Sequence, residues 1–218
     1  MPSTRYQKIN AHHYRHIWAV GDIHGDYQLL QSRLHQLSFF PEIDLLISVG
    51  DNIDRGPESL NVLRLLNQPW FISVKGNHEA MALEAFETGD GNMWLASGGD
   101  WFFDLNDSEQ QEAIDLLLKF HLLPHIIEIT NDNIKYAIAH ADYPGSEYLF
   151  GKEIAESELL WPVDRVQKSL NGELQQINGA DYFIFGHMMF DNIQTFANQI
   201  YIDTGSPKSG RLSFYKIK

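Results

Sequence analysis

The chain has 218 residues, 44% of them hydrophobic and 12% aromatic, enough apolar surface for one well-cored domain spanning residues 1–218, and this excludes a disordered or coiled-coil protein. Twenty-nine acidic against 16 basic residues leave a net charge of −13, which argues against general nucleic-acid binding. Cysteine is absent, so disulfides, thiolate nucleophiles and thiolate metal sites are excluded, and any metal must be held by oxygen and nitrogen.

The first 16 residues are polar and rich in histidine, with nothing resembling a signal peptide. No later stretch approaches the roughly 18 apolar residues of a membrane span, so the expectation is a cytoplasmic protein without membrane association. His12, His13 and His16 read as solvated side chains on a polar arm rather than as metal ligands.

Short runs rich in β-branched and aromatic residues then recur, and most stop at a small residue followed by Asp, Asn or His. Ile17 to Val20 runs into Gly21-Asp22-Ile23-His24-Gly25, Leu45 to Val49 into Gly50-Asp51-Asn52-Ile53-Asp54-Arg55-Gly56, and Trp70 to Val74 into Gly76-Asn77-His78-Glu79. Between them, Leu29, Leu30, Leu34 and Leu37 mark one helix, and Leu60, Leu63 and Leu66 behind Pro57 mark another. Strand, helix, strand, helix, strand implies βαβ units, whose ligand groups gather outside the carboxyl ends of the strands. From His78 to His121 the pattern turns helical and then loop-like, with Gly98-Gly99 between Trp94 and Trp101 and a helix expected over Ser108–Phe120. This stretch reads as an insertion, its tryptophans and Phe102 as packing residues of a core or lid, and His35, His121 and His125 as non-ligands. Farther on, Ile134 to Ala139 ends at His140 and Tyr182 to Phe185 at Gly186-His187, while Tyr201 to Gly205 reads as strand then turn.

Asp22 and His24 lie two apart, so in extended chain both project to one side. With Asp51, Asn77, His140 and His187 they make six oxygen or nitrogen donors at five strand ends. Six such donors suit two divalent ions bridged by one carboxylate, a pair that clamps the attacking and leaving oxygens of a displacement at phosphorus and supplies a metal-held hydroxide as nucleophile. The donor set fits manganese, iron or zinc better than copper. His78, beside Asn77 but not needed as a ligand, is placed to protonate the leaving alkoxide, Asp54 to hold that imidazole in its charged form, and Arg55 to clamp phosphoryl oxygens.

In order and spacing, the segments Gly21–Gly25, Gly50–Gly56 and Gly76–Glu79 resemble the three signature motifs of the phosphoprotein phosphatase family of metallophosphoesterases. His140-Ala141-Asp142-Tyr143-Pro144, Gly186-His187 and Tyr201 to Gly205 extend the likeness over nearly the whole chain, most closely to phosphatases of the phage-lambda type. The resemblance implies an α/β protein of calcineurin-like metallophosphoesterase fold, a central β-sandwich flanked by helices. It also implies a phosphatase for phosphoserine and phosphothreonine in protein substrates, often phosphotyrosine too, usually assayed with manganese. By the same resemblance, Asp22, His24 and Asp51 hold one metal, and Asp51, Asn77, His140 and His187 the other, with His78 and Asp54 as the acid dyad and Arg55 as a phosphate clamp.

The chain departs from the phage-type pattern in two places. An arginine expected two residues after Trp161 is replaced by Val163, and the nearest arginine is Arg165, which reads either as the second phosphate clamp or as a surface ion-pairing residue. The insertion carries Ser97-Gly98-Gly99-Asp100 where Asn-Gly-Gly is usual. Two other functions stay open: a symmetrical dinucleoside-polyphosphate hydrolase with the same two-metal chemistry, and a non-catalytic phosphate-binding module.

Overall fold

A computed structural model describes residues 4–218. In chain order the strands are β1 (Tyr6–Asn10), β2 (Ile17–Val20), β3 (Leu45–Ser48), β4 (Phe71–Ser73), β5 (Ile126–Asn131), β6 (Ile134–Ile138), β7 (Tyr182–Phe185), β8 (Gln194–Phe196), β9 (Gln199–Tyr201) and β10 (Phe214–Lys216). The α-helices are α1 (Tyr27–Gln36), α2 (Ser59–Arg64), α3 (Asn77–Thr88), α4 (Asn92–Ala96), α5 (Asp107–Leu117), α6 (Ser157–Leu160) and α7 (Asp164–Leu170).

Two sheets form. One has the order β10-β2-β3-β4, with β2, β3 and β4 parallel, as the βαβ pattern implies. The other is mixed, in the order β1-β5-β6-β7-β9-β8. Alternation along the strands assigns their faces. Leu45 and Ile47 of β3 join Ile17, Ala19, Ile127, Ile129, Ile138, Ile184 and Ile200 in one buried cluster between the sheets, while Leu46 and Val20 point outward onto Leu30 and Leu34 of α1 and Val62 of α2. On the opposite outer face, Ala137, Phe183 and Phe185 pack against Leu159 and Leu160 of α6 and Val166 of α7. The architecture is therefore the expected β-sandwich flanked by helices. Among the described residues, no helix is long and apolar enough to cross a membrane.

The amino-terminal segment departs from the solvated arm read in the sequence. Tyr6–Asn10 is the edge strand β1, in parallel register with β5 from Tyr6↔Ile126 to Asn10↔Thr130. Pairing with a distant strand supplies partners that local polarity cannot reveal. His12 and His13 are exposed, and His16 lies half-buried beside Asp44. The helix expected over Ser108–Phe120 runs as α5 into a 3-10 turn at Leu118–Leu122, and an Asn106–Glu109 capping box starts it. His35 and His121 are exposed, whereas His125 is buried and its Nε2 lies 2.7 Å from Glu156.

Candidate active site

The carboxyl ends of β2, β3, β4, β6 and β7 converge at one end of the sandwich, and each is followed by one to three of the predicted site residues. The chain must turn sharply where it leaves each strand. Five of the nine non-glycine residues with left-handed backbone among the described residues are therefore site residues: His24 (φ 47°), Asp51 (52°), Asp54 (73°), Arg55 (68°) and His187 (63°). That conformation is costly for residues with a Cβ and persists where packing over-determines it. Two glycines let the strand ends close. A Cβ at Gly186 would lie 2.1 Å from Asp22 Oδ1, and one at Gly76 would lie 2.2 Å from Asp51 Oδ1.

Asp51 sits at the centre. Its Oδ2 is 3.7 Å from His24 Nε2 and 3.8 Å from His78 Nε2, and its Oδ1 is 3.4 Å from His140 Nε2. Burial would raise its pKa, but the histidines His140, His78 and His24 outweigh that and hold the carboxyl well below the usual range. His24, Asp51 and His78 bring ligand atoms within 4.8 Å of one another, and so do Asp51, His140 and His187. Asp22 falls outside both groups by this measure. Its two oxygens accept the His187 backbone N–H at 3.2 and 3.1 Å, and burial, with Asp203 and Asp51 nearby, pushes its pKa well up.

The donor chemistry fits divalent cations. Burial keeps the His24 imidazole neutral, its pKa lowered to about 3, and that of His187 is lowered to about 4. His140 is lowered for the same reason, so it carries one N–H, which the Val49 carbonyl accepts from Nδ1 at 2.8 Å. Its Nε2 lone pair then faces Asn77 Oδ1 at 2.8 Å, and His187 Nδ1 reaches the same oxygen at 3.1 Å. Lone pairs facing one another in a buried cleft are an arrangement that a cation relieves.

The His78–Asp54 pair lies beyond Asp51. His78 Nδ1 is 2.6 Å from Asp54 Oδ2. The Arg55 guanidinium donates to His24 Nε2 at 2.7 Å and to His78 Nε2 at 2.9 Å, so both rings carry their proton on Nδ1, directed to the Ile53 carbonyl and to Asp54 respectively. Burial works against charge on His78, yet Asp51 and Asp54 together raise its pKa. Asp54 is itself raised by burial, against the pull of His78 and of two indoles: Trp94 Nε1 donates to Oδ1 and Oδ2 at 2.9 and 3.1 Å, and Trp101 Nε1 donates to Oδ1 at 2.8 Å.

Arg165 is not the surface residue that one reading of the sequence made it. It is buried in α7, with Nε on Asp142 Oδ1 at 2.8 Å and Nη2 on the carbonyls of Tyr143 and Gly145 at 2.9 and 2.7 Å. Three residues gain roles that sequence reasoning missed. Glu79 accepts the backbone N–H of Asp51, Asn52 and Gly76 at 2.9, 2.8 and 2.8 Å and so ties two strand ends together. Burial and the Asp51 charge push its pKa up to about 7. Its place in Gly-Asn-His-Glu was the available signal. Trp94 and Trp101 showed only a packing pattern.

Residues 15–190 match the family model of the calcineurin-like phosphoesterases. The chain belongs to that family. As a calcineurin-like phosphoesterase it is a hydrolase, and the family's divalent metals suit the clustered histidines and carboxylates. Serine/threonine-protein phosphatase 2 of Escherichia coli strain K12 is 97% identical over 218 residues, all of both chains. The protein of the same name from Salmonella typhimurium strain LT2 is 60% identical, also over the full length of both. A crystal structure described provisionally as a diadenosine tetraphosphatase superposes with a TM-score of 0.72 at 23% identity, over 98% of this chain and 94% of that one, a likeness of fold.

Proposed function

We propose that this phosphoesterase is a metal-dependent protein phosphatase that hydrolyses phosphoserine and phosphothreonine monoesters, with phosphotyrosine as a further substrate. The observation that supports this most is the meeting of two metal-fitting donor groups on Asp51 with the His78–Asp54 pair and the Arg55 fork in one cleft. Asp22, His24 and Asp51 would hold one divalent ion, and Asp51, Asn77, His140 and His187 the other, manganese in our reading. When bound, the pair would supply positive charge for the phosphoryl oxygens and acidify the attacking water.

The chain's own residues supply the rest. Arg55 leaves the two imidazoles and turns its fork to two phosphoryl oxygens. His78 Nε2, freed of Arg55, holds the proton that passes to the departing oxygen as the O–P bond breaks, while Nδ1–H stays on Asp54. The products are a serine hydroxyl and inorganic phosphate. The fold likeness to the tetraphosphatase structure supports a second reading, hydrolysis of a symmetrical dinucleoside polyphosphate.

Chelator-stripped protein, with and without added manganese, tests the metal requirement, and a phosphoserine peptide beside diadenosine tetraphosphate separates the two readings. We expect inorganic phosphate from a phosphoserine peptide only with metal, and a loss of about 10²–10⁴-fold in His78→Asn. Faster release of ADP from diadenosine tetraphosphate than of phosphate from the peptide would overturn the proposal.

A further inference from the structure

We propose that Trp94 and Trp101 are positioning residues that act through Asp54 on the leaving-group acid, so that the insertion carrying them is part of the reaction's machinery and not only a cover for it. This rests on the phosphatase reading and adds to it a role for a segment outside the signature motifs.

Asp54 is fully buried, and its carboxylate is the meeting point of three ring N–H donors. Oδ1 accepts from Trp101 at 2.8 Å and from Trp94 at 2.9 Å, and Oδ2 is left to His78 Nδ1 at 2.6 Å, with Trp94 a weaker second partner at 3.1 Å. An indole nitrogen can only donate. Two indoles on one carboxylate therefore fix its polarity as an acceptor and its rotation about the Cβ–Cγ bond, presenting Oδ2 to the imidazole. A hydroxyl or amide in their place could reverse the bond; an indole cannot.

The delivery is also specific. Trp94 comes from α4 and Trp101 from the following 3-10 turn, Gly99–Asp104, and the rings meet edge to face, 6.2 Å apart at 86°. The Gly98 carbonyl between them accepts the Arg55 backbone N–H at 3.2 Å, so the same segment grips the neighbour of Asp54. A Cβ at Gly99 would lie 2.5 Å from the Trp94 ring, which shows how closely the segment folds on itself. Packing does not require this convergence. The same rings lie in the cluster of Phe102 and Phe86, where phenylalanine would serve, and elsewhere in this chain the buried Trp18 Nε1 has no hydrogen-bond partner among the described residues.

Replacement by phenylalanine keeps a ring and removes the N–H. In Trp94→Phe and Trp101→Phe we expect kcat on a phosphoserine peptide to fall about tenfold each, and about a hundredfold together, with KM unchanged, in line with the loss of hydrogen bonds to a charged group. p-Nitrophenyl phosphate, whose leaving group departs without a proton, should lose no more than about threefold. In an Asp54→Asn background the tryptophan changes should cost no more than about twofold further, because the partner they act through is gone. Equal losses on both substrates, or full additivity with Asp54→Asn, would overturn the inference.

A measurement on the native fold guards against variants that do not fold. In ¹⁵N-indole spectra of the zinc-loaded chain, the Nε1–H signals of Trp94 and Trp101 should be exchange-protected and should both move in Asp54→Asn, and if neither moves the inference fails. Turnover of p-nitrophenyl phosphate by the native chain separates this failure from that of the underlying reading, which falls, and the inference with it, only if no phosphate ester is hydrolysed.

Discussion

The two sides of the cleft are built by different means. On the metal-fitting side, Asp22, His24, Asp51, Asn77, His140 and His187 leave the ends of strands whose other residues fill the sandwich, so their positions are inherited from a close-packed core. On the proposed acid side, Asp54 and Arg55 ride a left-handed loop beyond β3, and no strand holds them. Their support comes from side chains and backbone of the inserted segment, through the two indoles and Gly98. Groups carried on strand ends need little local scaffolding, whereas groups carried on a loop need a second element to fix them. The sides should therefore fail separately when perturbed, except at Asp51, which belongs to both.

That exception gives the largest expected effect. Asp51→Asn should lower turnover by about a thousandfold or more, roughly 4 kcal/mol in barrier, because it weakens both metal positions and the charge that favours protonated His78. Elemental analysis should show bound metal falling with it, whereas changes confined to the insertion should leave metal content intact. Full metal content in Asp51→Asn would break the comparison, since the shared carboxylate would not be what joins the sides.

An intermediate effect concerns protons on the metal-fitting side. With folded pKa values of about 3 and 4, His24 and His187 are neutral, and hence ready to ligate, throughout the range from pH 5 to 7. Asp22 is the opposite case. Its pKa is raised by burial and by neighbouring carboxylates, so the metal-free side chain keeps its proton as the pH falls and must release it to bind a cation. Metal affinity should thus drop as the pH falls, by up to about tenfold per unit for each carboxyl proton released. Titration calorimetry in two buffers of different ionisation enthalpy reads that proton directly. Affinity that is flat across this range would mean that the carboxylates, and not only the imidazoles, are already in their binding form.

Legibility in the sequence followed the same division. The strand-end donors could be read because a β-rich run that stops at Gly-Asp, Gly-Asn or Gly-His is a local pattern, and so could α1 and α2 from their leucine spacing. The edge strand β1 could not, since its partner β5 lies more than a hundred residues away. Nor could the work of Trp94 and Trp101. Their helical spacing reports that the rings are buried but is silent on where the N–H groups aim, which depends on the left-handed turn at Asp54. Glu79 was visible in its motif, yet its function is to bind the N–H groups of residues in another motif, a relation that only the folded chain displays.

Arg165 sharpens the comparison with the smallest expected effect on turnover. If it is a second phosphate clamp, the metal-fitting side owns a substrate-binding cation of its own, and the division drawn above weakens. Its geometry supports a different role. Its Nε and Nη2 are held by Asp142 and by the carbonyls of Tyr143 and Gly145, and Asp142 is pushed up by burial against the pull of that same guanidinium. Removing the cation from such a pair leaves a carboxylate buried without its partner. Arg165→Met should then cost about 3–5 kcal/mol in urea unfolding, while KM for a phosphoserine peptide stays within about twofold. A KM raised about tenfold with stability unchanged would mean that Arg165 leaves Asp142 to meet the phosphoryl group. With the expected result, phosphate recognition by arginine would belong to Arg55, which places the proposed clamp on the same loop as Asp54, the partner of the proposed proton donor His78, under the grip of one inserted segment.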